Sequence, residues 1–198
     1  MPTFTDEAVE AHGLTLRALG PDDVPPIARA CQDALLQRWL PLPRPYTEDD
    51  ARFFALDLAP RSLAQGAGIE RGIELDGELV GVIGLKSTDW AARTTEAGYW
   101  LAPWGRGRGV MTRALCALTD WALDRQGMGR VEVRIAPGNH ASLAVARRAL
   151  FTEEGRLRRA GVTHDGPIDL IVLSRLSDDP RPEVAVGGTS APTSVKHP

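Results

Sequence analysis

Residues 96–127, EAGYWLAPWGRGRGVMTRALCALTDWALDRQG, restrict the fold more than any other part of the chain. A strand-like run ends at Leu101, glycines at 105, 107 and 109 alternate with arginines, and an amphipathic segment begins at Val110. Met111, Ala114, Leu115, Leu118, Trp121 and Ala122 recur at helical spacing, which predicts a helix of about 17 residues. A strand therefore feeds a helix through a glycine-rich turn. Several backbone N–H groups then converge near a helix N-terminus, the general way a protein holds a phosphate. Arg106 and Arg108 can add charge-assisted hydrogen bonds to the same group. Two familiar phosphate motifs do not fit. A P-loop needs Lys and then Ser or Thr after its last glycine, and here Val110 and Met111 follow. A dinucleotide fingerprint needs a third glycine where Thr112 stands.

The flanking segments supply the rest of a mixed sheet. LTLRAL (14–19) reads as a first strand, and the segment from Val24 to Leu36 as a helix with Pro25 and Pro26 in its first turn. Thr47 and Asp50 resemble a capping box opening a second helix through Ala59. GIERGIEL and ELVGVIGLKS around Asp76-Gly77 give a hairpin signal, and TTEAGYWL (94–101) a third strand of the same meander. After the long helix come RVEVRI (130–135), a short helix in ASLAVARRALF, and two final strands in RLRRAGV and IDLIVLSRL. The expected fold is α/β: a mostly antiparallel mixed sheet of six to seven strands with helices on both faces. Residues 12–176 form the domain, 1–11 a flexible lead-in, and 177–198, rich in Pro, Gly and Ser, a disordered tail.

Bulk composition narrows the function classes. With 198 residues, 43% apolar and 25% charged, the chain suits one soluble domain. Its start is acidic and lacks an apolar stretch, unlike a signal peptide, and no run approaches a membrane span. Net charge −3 speaks against a nucleic-acid binder. Cys31 and Cys116 are too few for a disulfide framework and read as buried, reduced thiols of a cytoplasmic protein. The four histidines make no metal pattern with them.

GYWLAPWGRGRGVMTRAL, followed by NHASLAVARRALFTEEGRLRR, resembles the Gcn5-related N-acetyltransferase superfamily, and within it the RimJ/RimL-like ribosomal-protein alanine N-acetyltransferases. The resemblance spans residues 12–176. The pyrophosphate motif of that superfamily is a Gln or Arg, two residues, Gly, one residue, then Gly or Ala, with Trp often first in this branch; here it reads Trp104, Gly107, Gly109. The resemblance implies an acetyl-CoA cosubstrate and no metal. It implies that Trp104, Arg106, Gly107, Arg108, Gly109 and Val110 meet the pyrophosphate, and that Trp100 and Leu101 offer backbone to the pantetheine arm. Asn139 matches an asparagine that contacts that arm, and Ser142 a serine near the sulfur. A tyrosine that often acts as general acid is replaced here by Ala146.

Acyl transfer from a thioester needs positioning and removal of a proton from an ammonium. Glu96 is the candidate base, because strand alternation places Glu96, Gly98 and Trp100 on one face. Ser142 is the remaining catalytic candidate. Trp39, Tyr46 and Asp89 are candidates for the acceptor wall. The acceptor is a protein N-terminus or a small-molecule amine. A longer acyl donor and a non-catalytic CoA-binding sensor remain open, as does a homodimer.

Overall fold

The computed structural model describes residues 2–182. Its sheet has eight strands: β1 (Val9–Ala11), β2 (Leu14–Arg17), β3 (Ile69–Leu75), β4 (Glu78–Asp89), β5 (Thr94–Leu101), β6 (Arg130–Ile135), β7 (Thr152–Thr163) and β8 (Gly166–Leu176). They lie in the order β1-β2-β3-β4-β5-β6-β8-β7, antiparallel except between β5 and β6. The strand beyond the expected six to seven is β1. It folds back on β2 through His12-Gly13, both at positive φ, the two-residue hairpin geometry that Asp76-Gly77 repeats between β3 and β4. Histidine in the first turn position hides the signal that Asp76 announces.

Where it is described, the lead-in 1–11 packs against the domain. Phe4 is 2% exposed, its ring 4.8 Å from that of Trp90 and 5.8 Å from that of Trp121. Trp121 donates to the Glu7 carboxylate at 2.7 Å, and Thr3 Oγ1 to the Leu63 carbonyl at 2.6 Å. At the other end Arg181 ties residues 177–182 to Asp120 and Asp124, and the remainder of the expected tail, 183–198, lies outside the described residues.

Two apolar layers sandwich the sheet. On one face α5 (Val110–Asp124) and α6 (His140–Arg148) cover Leu16, Ile73, Ile83, Leu85 and Val133. On the other, α1 (Val24–Cys31) and α3 (Glu48–Arg52) pack Val24, Ile27 and Ala51 over Leu79 and Trp100. The first helix is shorter than expected. It stops before Asp33, whose carboxylate accepts the Leu36 N–H at 3.2 Å and starts α2 (Ala34–Trp39). The second helix opens on its capping box, Asp50 N–H to Thr47 Oγ1 and Thr47 N–H to Asp50 Oδ2. It then widens into a π-helical turn (Phe53–Leu58) before α4 (Ala59–Ala64). Pro60 has no N–H for an i−4 bond, and Ala59 reaches five residues back to the Phe54 carbonyl. Both cysteines are buried, and burial pushes the Cys31 thiol up to about 12.

Candidate active site

A wedge opens where β5 and β6 part. The two strands pair only through Thr94↔Arg130, Thr95↔Val131 and Glu96↔Glu132. Beyond that point β5 stays with β4 as far as Gly81↔Leu101, while β6 stays with β8 as far as Ile135↔Ile171. The edge of β5 from Ala97 to Leu101 that looks toward β6 has no strand partner, and its backbone polar groups are open to a ligand.

At the wide end of the wedge stands the glycine loop. Gly107 and Gly109 have φ of +79° and +66°, and Gly109 is the N-cap of α5. A Cβ would meet nothing within 4 Å at either position, so the demand for glycine is conformational. No side chain caps α5. Its first-turn amides and the positive end of its dipole therefore face outward, ready for an anion. A cavity of about 410 Å³ begins at this helix head and runs down the wedge. Leu36 and Trp39 of α2 form one wall, Tyr99 and Trp100 the floor, and Asn139 and Ser142 at the head of α6 the other wall.

Trp39, Trp100, Leu101, Arg106, Gly107, Gly109, Val110, Asn139 and Ser142 all border this cavity. Asn139 caps α6, its Oδ1 accepting the Ser142 N–H at 3.2 Å. The Ser142 hydroxyl makes no hydrogen bond to another described residue, so it is free for a ligand. Trp39 reaches across the wedge: a Cβ on Gly138 would lie 3.1 Å from its ring. Arg106 is at the rim but already engaged, with Nη2 2.5 Å from Asp33 Oδ1 and 3.3 Å from the Leu101 carbonyl. Its guanidinium holds the Asp33 carboxyl below the usual range.

Other expected residues lie elsewhere. Trp104 turns inward; its indole donates to the Leu79 carbonyl at 3.0 Å and Arg29 stacks on its ring at 3.9 Å. It braces the loop from behind and does not border the cavity. Arg108 points to solvent, 3.8 Å from Asp76. Tyr46 is core, 6% exposed beneath α1. Asp89 closes the turn after β4 by accepting the Ala91 and Ala92 amides, both at 2.9 Å, at the end of that strand remote from Gly81. Glu96 lies on the opposite face of β5 from Tyr99, next to Lys86 Nζ at 3.1 Å and Arg134 Nε at 3.6 Å.

Tyr99 and Arg148, which no motif singles out, also border the cavity. Tyr99 donates to the Ser142 carbonyl at 3.2 Å, and burial pushes its hydroxyl well above the ordinary phenol range, so it stays protonated. Alternation along β5 carries the signal: if Glu96, Gly98 and Trp100 share one face, Tyr99 must occupy the other, toward α6. Among the described residues no cluster of His, Cys, Asp and Glu could hold a metal, and no helix is long and apolar enough to cross a membrane.

Comparison with known proteins places this geometry. Residues 13–152 match the family model described as the acetyltransferase (GNAT) domain. YdaF of Bacillus subtilis (strain 168), which bears the name of a ribosomal N-acetyltransferase, is 34% identical over 166 residues, 82% of this chain and 91% of its own. The solved structure of RimL, a ribosomal L7/L12 α-N-protein acetyltransferase in complex with coenzyme A, is 26% identical. It superposes with a TM-score of 0.79 over 86% of this chain and 98% of its own. Mycobacterium smegmatis RimJ, in complex with a CoA disulfide, has the same fold, with a TM-score of 0.82 over 89% of this chain and 90% of its own at 24% identity.

Proposed function

The chain belongs to the GNAT acetyltransferases and is an acetyl-CoA-dependent N-acetyltransferase, and we propose that its acceptor is the N-terminal α-amine of a ribosomal protein. The observation that carries the reading is the wedge cavity, with an uncapped helix head at one end and the free Ser142 hydroxyl at the other. The donor set fits the cosubstrate. Amides at Gly107, Gly109 and Val110 would hold the pyrophosphate, with Arg148 a cation on the cavity wall that has no acidic partner among the described residues. The open edge of β5 at Trp100 and Leu101 would pair with the pantetheine arm, and Asn139 would border it. The relatives' names, a ribosomal N-acetyltransferase and an L7/L12 α-N-acetyltransferase, support a protein amine over a small one.

In this reading the ammonium gives up one proton through water to Glu96. The free amine attacks the thioester carbonyl, the C–N bond forms, and the C–S bond breaks. The leaving thiolate takes the second nitrogen proton by way of the Ser142 hydroxyl, with Tyr99 as a fixed neutral donor on the same side. Lys86 and Arg134 pair with Glu96 and hold its carboxylate on the acceptor face. Ser142 thus takes the proton-donor role that Ala146 cannot supply, with Tyr99 holding its backbone in place.

Thiol release from acetyl-CoA with paired acceptors tests the proposal. Short peptides beginning with Ser or Ala are to be compared with the same peptides blocked at the N-terminus, and with polyamines and aminoglycosides. Turnover confined to free N-terminal peptides is the expected result. Turnover confined to small amines overturns the protein acceptor but leaves the enzyme class intact.

A further inference from the structure

One carboxyl on the acceptor face of the sheet is used by nothing described so far. Glu70, on β3, lies opposite Gly84 of β4, which lies opposite Gly98 of β5. Gly84 leaves no room for a side chain, whereas Gly98 would admit a Cβ in ordinary contact with Lys86. A Cβ on Gly84 would sit 2.2 Å from Glu70 Oε2, and one on Gly98 3.6 Å from Lys86 Cε. The pair forms a trough across two strands, and the Glu70 carboxyl lies along it toward β5. One row further along, Lys86 pairs with Glu96. Across two strand spacings of about 4.8 Å, Glu70 and Glu96 thus face the same strip of surface with Lys86 between them.

Their surroundings differ. Glu96 has two cations against it. Glu70 makes no ion pair and no side-chain hydrogen bond among the described residues. The charged groups around it are Lys86 on β4, Arg71 on its own strand, and Asp6, which Arg71 pairs with at 2.7 Å. The helical side presents the uncharged Ala55, Ala59, Pro60, Leu63 and Ala64. Glu70 also borders a crevice of about 240 Å³ that opens beneath α4, a route to water separate from the wedge. Glu70 is half-buried, and a carboxyl desolvated this far without a partner calls for a role.

We propose that Glu70 is the proton-holding carboxyl of the transferase, receiving through water the proton that Glu96 takes from the acceptor ammonium and releasing it into the crevice under α4. The inference rests on the acetyltransferase reading. Two carboxyls with opposed environments divide the work: the ion-paired one faces the ammonium, and the unpaired one stores its proton. The balance closes, since the acceptor ammonium and the thioester yield amide, thiol and one proton, and that proton resides on Glu70 until water removes it. Burial agrees with such a role, raising the Glu70 carboxyl to about 7, against a smaller opposing pull from Lys86. Glu70 acts through Glu96 and water and touches neither substrate, so it is a positioning residue.

The test is the pH profile of kcat and of kcat/KM for a peptide acceptor, from pH 5.5 to 9, in wild type and Glu70→Gln. Wild type is expected to show an inflection in kcat near neutrality. Glu70→Gln is expected to lose that inflection and to fall at least about tenfold in kcat at pH 7, with KM for acetyl-CoA unchanged. An unchanged profile and rate in Glu70→Gln overturns the inference while leaving the acetyltransferase reading intact. Absence of turnover in wild type with every amine overturns both. Should Glu70→Gln fail to fold, carboxyl-labelled carbon NMR on the wild-type protein decides. Titration of Glu70 in the ordinary carboxylate range overturns the proposal, and titration near neutrality sustains it.

Discussion

Replacing Glu70 with Gln has a consequence for stability that does not depend on chemistry. The Glu70 carboxyl has an ordinary value of 4.5 and is raised to about 7 by burial. The folded state therefore holds a proton that the unfolded chain releases. Stability associated with that proton is fully present below pH 4.5, is lost as the pH climbs, and is gone above about 7. At 1.36 kcal/mol for each tenfold change in proton affinity, the loss amounts to about 3 kcal/mol, an upper figure because water in the crevice shields the charge. Glutamine has nearly the same shape and does not titrate. Urea unfolding of both proteins at pH 4.5, 6, 7 and 8 isolates the effect. Glu70→Gln is expected to gain on wild type by up to about 3 kcal/mol between the first and last of these, with most of the gain between pH 5 and 7. A difference that stays constant across the series would refute the claim that this carboxyl is desolvated and unpaired in the folded state.

Two further perturbations separate residues that shape the loop from residues that meet the ligand. Gly109→Ala forces an L side chain to φ of +66° at the head of α5; a stability loss of about 1 kcal/mol is expected, with at least a tenfold rise in KM for acetyl-CoA in steady-state assays. Trp104→Phe removes the bond to the Leu79 carbonyl and the full ring under Arg29; thermal unfolding should show a loss of about 1 kcal/mol, while coenzyme A affinity by calorimetry stays within about twofold of wild type.

The legible part of the site was the part built from local chain geometry. Glycine at 107 and 109 is demanded by positive φ, and Asn139 by the cap it makes at α6, so both signals sit in a few adjacent residues. The arginines were harder, because their reach lets distant partners decide. Arg106 goes to Asp33, 73 residues away, and Arg108 to solvent, although the two are nearly adjacent in the chain. Trp104 shows the same limit: an indole beside a ligand loop reads as a ligand contact, yet the Leu79 carbonyl claims it from behind. Tyr99 was recoverable by alternation once β5 was placed. Glu70 was not, since its burial arises from Gly84 across the ladder and from the helices above, contacts that only the assembled fold creates. The break between α1 and α2 followed local chemistry, an Asp at a helix start. The π-helical turn before Pro60 was likewise local, though it reads as an uninterrupted helix by periodicity alone.

The central claim is transfer of an acetyl group to a protein α-amine, and locating the transferred group tests it most directly. Isotopically labelled acetyl-CoA, the full chain and a mixture of ribosomal proteins are to be incubated together, and the labelled products fragmented by mass spectrometry. The account predicts label on the N-terminal nitrogen of one or a few proteins, abolished by Gly109→Ala at low acetyl-CoA. Label on lysine side chains alone, or on no protein while coenzyme A is bound, would contradict it.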